Sequence, residues 1–172
     1  SDMALAIRPV FTEAWYSKGV ALYELGRYDE AVTAYDRSIE LDPTSAQAIY
    51  DRGLALLRLS RYEDAVVSFD RVLALVPQFA PAFFHKGLAL AALNHQEDAV
   101  RNYDNALAIT PSDAALLYQK GVSLSRLENF EEAIASFDAA IVQDPLNADP
   151  SYQKGLCLAA LGRQEEADSA FG

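Results

Sequence analysis

Side chains suited to nucleophilic or acid–base work near neutral pH are scarce in this chain, where His85, His95 and Cys157 are the only histidines and the only cysteine. Their spacing does not bring them together. His85 falls within a helical pattern, His95 falls in the connection that follows, and Cys157 aligns with Ala21, Ala55, Ala89 and Ser123, a small-residue position that reads as a buried, inert thiol. No glycine-rich phosphate loop, metal-ligand cluster or nucleophile motif occurs. The expectation is therefore no enzyme, with no catalytic residue, no cofactor and no metal. The chemistry that the residues do suggest is adhesion. Tyr16, Tyr50, Phe84, Tyr118 and Tyr152 recur every 34 residues, and so do Val20, Leu54, Leu88, Val122 and Leu156. A repeated aromatic and aliphatic strip offers contact area at low entropic cost, and the tyrosines keep a hydroxyl for backbone groups.

Positions beside the strip differ from one copy to the next. One row is Ser17, Asp51, His85, Gln119 and Gln153; another is Tyr23, Leu57, Ala91, Ser125 and Ala159; a third is Glu24, Arg58, Ala92, Arg126 and Ala160; a fourth is Glu13, Gln47, Pro81, Ala115 and Asp149. Such rows could confer specificity or merely keep the surface soluble. Tyr16, Val20, Tyr23, Tyr50, Asp51, Leu54, Leu57, Phe84, His85, Leu88, Tyr118, Gln119, Val122, Tyr152, Gln153 and Leu156 form the candidate peptide-binding groove. The competing reading is that these side chains partly pack between neighbouring helices, and the two are compatible.

The element that positions them is the stretch Ala14 to Ala31, which recurs so that Gly19 falls on Gly53, Gly87, Gly121 and Gly155, and Ala31 on Ala65, Ala99, Ala133 and Ala167. A fixed period of this length signals a repeat architecture. Trp15, Gly19, Leu22 and Leu25 are spaced helically and share one face; Ala31, Tyr35, Ser38 and Leu41 do the same on a second helix. Each unit is thus expected to be an antiparallel helix pair, with Gly19 removing a side chain at the closest approach and Ala31 as the matching small residue. The turn between the two helices carries Gly26, Ser60, Asn94, Glu128 and Gly162, where glycine and asparagine suit a left-handed helix end best and Glu128 least. Pro9, Pro43, Pro77, Pro111 and Pro145 follow each second helix and stop it. The complete units run over 12–45, 46–79, 80–113 and 114–147, with a shortened one over 148–172. Residues 4–11 look like the tail of an earlier unit, and Ser1-Asp2-Met3 like a cloning remnant.

Charge has a structural origin before it has a functional one. The formal charge is −11, but ten of the 25 acids form pairs at one repeat position: Asp29/Glu30, Glu63/Asp64, Glu97/Asp98, Glu131/Glu132 and Glu165/Glu166. Carboxylates in a first helical turn interact favourably with the helix dipole. Without those ten, fifteen acids face fourteen bases. Lys18, Arg52, Lys86, Lys120 and Lys154 sit at the edge of the packed stripe, with Asp36, Asp70, Asp104 and Asp138 as expected counter-charges and an anion-binding ladder as the alternative. No concentrated basic surface exists for nucleic acid.

The pattern of Trp15, Gly19, Leu22, Gly26, Tyr28, Ala31, Tyr35 and Pro43, recurring in register over nearly the whole chain, resembles the tetratricopeptide repeat (TPR). Departures are Ser151 at the Trp15 position, and Gln96 and Gln164 at the position of Tyr28, Tyr62 and Phe130. The resemblance implies an all-α, right-handed superhelical solenoid of antiparallel helix pairs, with the first helices lining a concave face that binds extended peptides or partner helices. It also implies that binding of chaperone C-terminal tails is absent, because the lysines and asparagines of that clamp are replaced by residues such as Tyr16, Val20 and Phe84.

At 172 residues and 51% hydrophobic composition, the chain can bury a substantial core. It has no apolar run long enough to span a membrane and no basic-then-hydrophobic leader, and its single cysteine is compatible with a reducing compartment, so a cytoplasmic protein is expected. The leading expectation is a scaffold that binds a protein or peptide in the groove. The alternatives are a substrate-selecting or regulatory segment of a larger enzyme, and a self-association module that uses exposed repeat ends.

Overall fold

Helices form wherever the apolar period runs unbroken, and they end where glycine, asparagine or proline interrupts it. The computed structural model describes the backbone of residues 2–171 and the side chains of residues 11–171. Its helices are α1 (Asp2–Glu24), α2 (Tyr28–Leu41), α3 (Ala46–Arg58), α4 (Tyr62–Leu75), α5 (Ala80–Ala92), α6 (Gln96–Ile109), α7 (Ala114–Arg126), α8 (Phe130–Gln143), α9 (Asp149–Ala160) and α10 (Gln164–Phe171). Among the described residues there is no strand, and no helix is long and apolar enough to cross a membrane. The chain divides into two units, Ser1–Ala89 and Leu90–Gly172, the boundary falling within α5. In the first unit α1 packs on α2, α2 on α3 and α3 on α4; in the second, α6 packs on α7, α7 on α8, α8 on α9 and α9 on α10. Within each unit, helices adjacent in sequence pack on one another, the nearest-neighbour packing of a repeat array.

One expected break is missing. Pro9 should end a helix as Pro43 and Pro111 do, yet α1 is continuous from Asp2 to Glu24. After Pro43, the Ser45 hydroxyl accepts the Ala48 amide at 3.3 Å, and after Pro111 the Asp113 carboxylate accepts the Leu116 amide at 3.1 Å, so each new helix starts with a capped end. After Pro77 the ring of Phe79 is anchored against Tyr50, with centroids 5.2 Å apart. Phe11 occupies the same place after Pro9, has no side-chain acceptor to cap a new helix and is 55% exposed, so neither signal that starts a helix after the other prolines is present there. The Ser1-Asp2-Met3 expectation concerns side chains outside the described residues.

The turn positions take the backbone conformation expected of them. Gly26, Ser60, Asn94, Glu128 and Gly162 all have positive φ, between 58° and 76°. Arg27, Arg61, His95, Asn129 and Arg163, one residue further on, donate their amides back to Leu22, Leu56, Leu90, Leu124 and Leu158, each at 2.9 to 3.0 Å. This is the Schellman closure, and it satisfies carbonyls that would otherwise be left open. Asp29/Glu30, Glu63/Asp64, Glu97/Asp98, Glu131/Glu132 and Glu165/Glu166 then fall in the first turns of α2, α4, α6, α8 and α10. None of the turn residues Arg27, Arg61, His95 and Asn129 caps its helix with a side chain. The carboxylates complement the helix dipole in their place, and Arg27, Arg61 and Arg163 pair with Glu30, Asp64 and Glu166 at 2.6 Å.

The closest approach between the two helices of a pair differs from the expected one. A Cβ at Gly19 would stand 2.5 Å from the Tyr35 ring; at Gly53, 2.7 Å from Phe69; at Gly121, 2.5 Å from Phe137; at Gly155, 2.4 Å from Phe171. The partner is thus an aromatic ring of the second helix, with Ala31, Ala65, Ala133 and Ala167 fully buried elsewhere in the contact. Leu25 is also not part of the packed stripe, being 70% exposed. Its equivalent Leu59 packs on the core, because the neighbouring pair α1 and α2 lies beside it, a cover that Leu25 lacks among the described residues. In the second unit, Gln96 is buried at an aromatic position, donating to the Ala91 carbonyl at 3.1 Å while its own carbonyl oxygen has no partner.

The basic row ties each second helix to the first helix that follows. Arg52 meets Asp36 at 2.6 Å, Lys86 meets Asp70 at 2.5 Å, Lys120 meets Asp104 at 2.6 Å and Lys154 meets Asp138 at 2.6 Å. The bases are largely covered and the aspartates about half exposed, as expected for snorkelling stems. Arg52 also donates to the Ser68 hydroxyl at 2.8 Å, and Lys18 stands 4.9 Å from the centroid of the Trp15 ring. Four of the five bases in the row are thus matched by aspartates, as the structural reading expects.

Three outcomes test this packing. Gly53→Ala should lower unfolding stability by about 1–3 kcal/mol, because Phe69 is buried and has nowhere to move; an unchanged urea midpoint would contradict the contact. Glu128→Gly should gain about 0.5–1 kcal/mol by relieving the left-handed conformation of a residue with a Cβ, and thermal melts that fail to rise would exclude this strain. Lys86→Met and Lys120→Met should each cost less than about 1 kcal/mol, as half-exposed ion pairs do. Losses beyond about 2 kcal/mol per site in denaturant titrations would show that the row does more than fasten neighbours.

Candidate functional site

The first helix of each repeat has two duties, since one stripe must pack on its own second helix while the rest faces away from it. Tyr16 lies against Tyr35 with ring centroids 6.0 Å apart, Tyr50 against Phe69 at 5.8 Å, Tyr118 against Phe137 at 6.0 Å and Tyr152 against Phe171 at 5.7 Å. Each candidate tyrosine therefore rests on the ring that also covers the bare glycine of its repeat. That contact fixes where each of these four tyrosines stands, so the row is positioned by the core.

Within the first unit, Tyr16, Val20, Tyr23, Tyr50, Leu54 and Leu57 are half-buried and pack against the core cluster. Asp51, Phe84, His85 and Leu88 are half-buried as well. Two hydroxyls reach the next repeat: Tyr16 donates to the Asp51 carboxylate at 2.8 Å, and the Tyr50 hydroxyl lies 3.0 Å from His85 Nδ1. The same Nδ1 is 2.8 Å from the Pro81 carbonyl, to which it donates as N–H, whereas as a bare nitrogen it accepts the tyrosine proton. Burial holds the His85 pKa below the usual histidine value, partly offset by the Pro81 carbonyl, so the ring is neutral at neutral pH. Burial, and then the Asp51 hydrogen bond, push Tyr16 up to about 12; Tyr50 is raised to about 12, chiefly by burial. Both phenols stay protonated at every physiological pH.

In the second unit, Tyr118, Gln119, Val122 and Gln153 are half-buried, while Tyr152 and Leu156 are 56% and 44% exposed. His95 sits in the turn before α6, whereas His85 lies on α5. Cys157 is buried with Sγ 3.4 Å from the Ser125 hydroxyl. Among the described residues no group of histidine, cysteine or acidic side chains is arranged to hold a metal ion.

The structure brings five of the expected residues, Tyr16, Val20, Tyr23, Asp51 and Leu54, around a single cavity of about 210 Å³, together with Glu24 and Tyr35. The last two are absent from the expected set. Glu24 stands in one of the varying rows directly after Tyr23, a signal the sequence offers; Tyr35 belongs by its spacing to the packed stripe, yet it also lines this cavity. The rim and walls are thus aromatic and aliphatic, with two carboxylates. Neither Glu24 nor Asp51 forms an ion pair among the described residues, and Asp51 takes its hydrogen bonds from Tyr16 and from Gln47 at 3.1 Å. The nearest base in the varying row, Arg58, lies over the Tyr28 ring, 4.8 Å from its centroid.

Comparison with known proteins follows from this architecture. A TPR repeat profile matches residues 19–60, and a tetratricopeptide repeat profile matches residues 50–114 and 118–171. A search of curated protein sequences gave no match. Among solved structures, a crystal structure of MamA superposes with a TM-score of 0.90 at 21% identity, covering 94% of this chain and 88% of that one. MamA 41-end from Desulfovibrio magneticus RS-1 gives 0.90 at 23% identity, covering 94% and 91%. YrrB, described as a TPR protein with an unusual peptide-binding site, gives 0.80 at 25% identity, covering 91% and 80%. With helix pairs, left-handed turns and glycine–aromatic contacts repeating at the same interval, and with family profiles covering most of its length, this chain belongs to the tetratricopeptide repeat family.

Proposed function

We propose that this chain is a protein-interaction scaffold that holds an extended peptide or a helix of a partner protein on the first-helix face. The observation that carries the reading is the cavity among Tyr16, Val20, Tyr23, Asp51 and Leu54, where an aromatic and aliphatic wall adjoins carboxylates that form no ion pair among the described residues. Apolar walls with a few fixed polar groups are what peptide and ligand sites require. The YrrB structure supports it by fold, as a TPR protein with a peptide-binding site at 25% identity. The exposed pair Tyr152 and Leu156 extends the same repeat positions in the second unit. Varying side chains at Asp51, His85, Gln119 and Gln153 supply the differences that select one sequence over another.

The test is panning of a random displayed-peptide library on the parent chain, followed by affinity measurement on Leu54→Gln combined with Leu156→Gln. Both substitutions keep volume and replace partly exposed apolar surface, and circular dichroism checks that the helices persist. Selected peptides should bind the parent at least tenfold more tightly than the double variant. Equal affinities, or no enriched peptide, would overturn the groove assignment.

A further inference from the structure

The cavity in the first unit has a chemical character that the apolar strip alone does not predict. Its volume of about 210 Å³ is below the roughly 300 Å³ at which drug-sized ligand pockets begin, so it accommodates one side chain and not a folded segment. The rings of Tyr16, Tyr23 and Tyr35 and the aliphatic groups of Val20 and Leu54 line it, and Glu24 and Asp51 are the only charged residues in its lining. These two carboxylates lie outside the ten that serve helix N-termini and outside the four aspartates matched to the basic row. Most of this protein's acidity is therefore accounted for by the scaffold, while this pair has no cation of its own. Arg58 shows that an aromatic ring of this region receives a guanidinium, since it already stacks on Tyr28, whose ring lies 5.2 Å from that of Tyr23.

We propose that this cavity takes an arginine side chain presented by the bound peptide, the guanidinium pairing with Asp51 and Glu24 against the tyrosine rings and the aliphatic stem lying on Val20 and Leu54. Arginine is favoured over lysine because its planar, weakly hydrated head stacks on aromatic faces and presents several donors to carboxylates at once. The Tyr16 hydroxyl donates to Asp51 and fixes the direction of that carboxylate, so the acceptor is held in place before the peptide arrives. The inference rests on the peptide-binding reading and names the residue class that the first unit selects.

The experiment compares two probes on the whole chain: acetyl-Ala-Ala-Arg-Ala-Ala-amide and the same peptide with citrulline, which keeps the shape and removes the charge. Methyl-detected NMR follows Val20 and Leu54 during titration. The arginine peptide should shift both residues' signals and bind at least tenfold more tightly than the citrulline peptide. The Glu24→Gln, Asp51→Asn double variant should bring it down to the citrulline level, whereas Glu40→Gln, a charge change at a residue paired with Arg37, should leave the preference intact. If both peptides shift Val20 and Leu54 equally, the arginine pocket is overturned while peptide binding on this face stands. Absence of any shift with either peptide at millimolar concentration also overturns the arginine assignment, and the library panning then decides the broader reading on its own. The peptide comparison requires no mutation, so an unstable double variant would still leave a decisive result.

Discussion

An aromatic ring lying on a glycine that has no room for a methyl group is the contact on which the remainder of this protein depends. It occurs between Gly19 and Tyr35, Gly53 and Phe69, Gly121 and Phe137, and Gly155 and Phe171. Each contact sets how near the two helices of a pair can come, and the same ring lies against the tyrosine one turn earlier on the first helix. The core thereby reaches through to the face that would meet a partner. Because protein interiors are close-packed, a displacement at the glycine is transmitted to the tyrosine and is not absorbed between them. Scaffold and recognition surface share one stack of groups.

Electrostatics separates into layers of different purpose. Acid pairs at the starts of the second helices take up ten of the carboxylates, and the aspartates along α2, α4, α6 and α8 meet the basic row. Individually these are exposed or half-exposed interactions that contribute little, yet they recur at every junction and share one geometry. They also fix the rotational setting of one helix pair on the next, since an ion pair reaching from a second helix to the following first helix is satisfied at one register only. Glu24 and Asp51 belong to neither layer, and Asp51 instead accepts the Tyr16 hydroxyl at 2.8 Å.

Much of this was legible in the sequence, and the failures share a cause. The period, the helix pairs, the left-handed turn residues, the acids in first turns and the Lys/Arg-to-Asp pairing all follow from rules local to a helix or exact to the repeat. Ser60 and Glu128 adopt positive φ against their own preference because the repeat imposes the turn that Gly26 takes freely. Misjudged were relations between helices: Ala31 in place of Tyr35 as the partner of Gly19, the burial of Leu25, and the break at Pro9. A helical wheel gives the direction in which a side chain leaves its own axis, but not how far a neighbour's ring reaches back. The candidate groove was legible as a set of rows, whereas the cavity was not, since it needed Tyr35 and Glu24 to be recognised as neighbours of Tyr16.

The hydrogen bonds from Tyr16 to Asp51 and from Tyr50 to His85 join residues 35 apart, so the residue that varies between repeats is also the one that completes the junction with the repeat before it. A tyrosine followed by an aspartate and a tyrosine followed by a neutral histidine are different junctions with different stabilities. These repeats are consequently not interchangeable beads on a string. Drift in the recognition rows is coupled to drift in the stacking of neighbours, and the order of the repeats becomes part of what the sequence has to preserve.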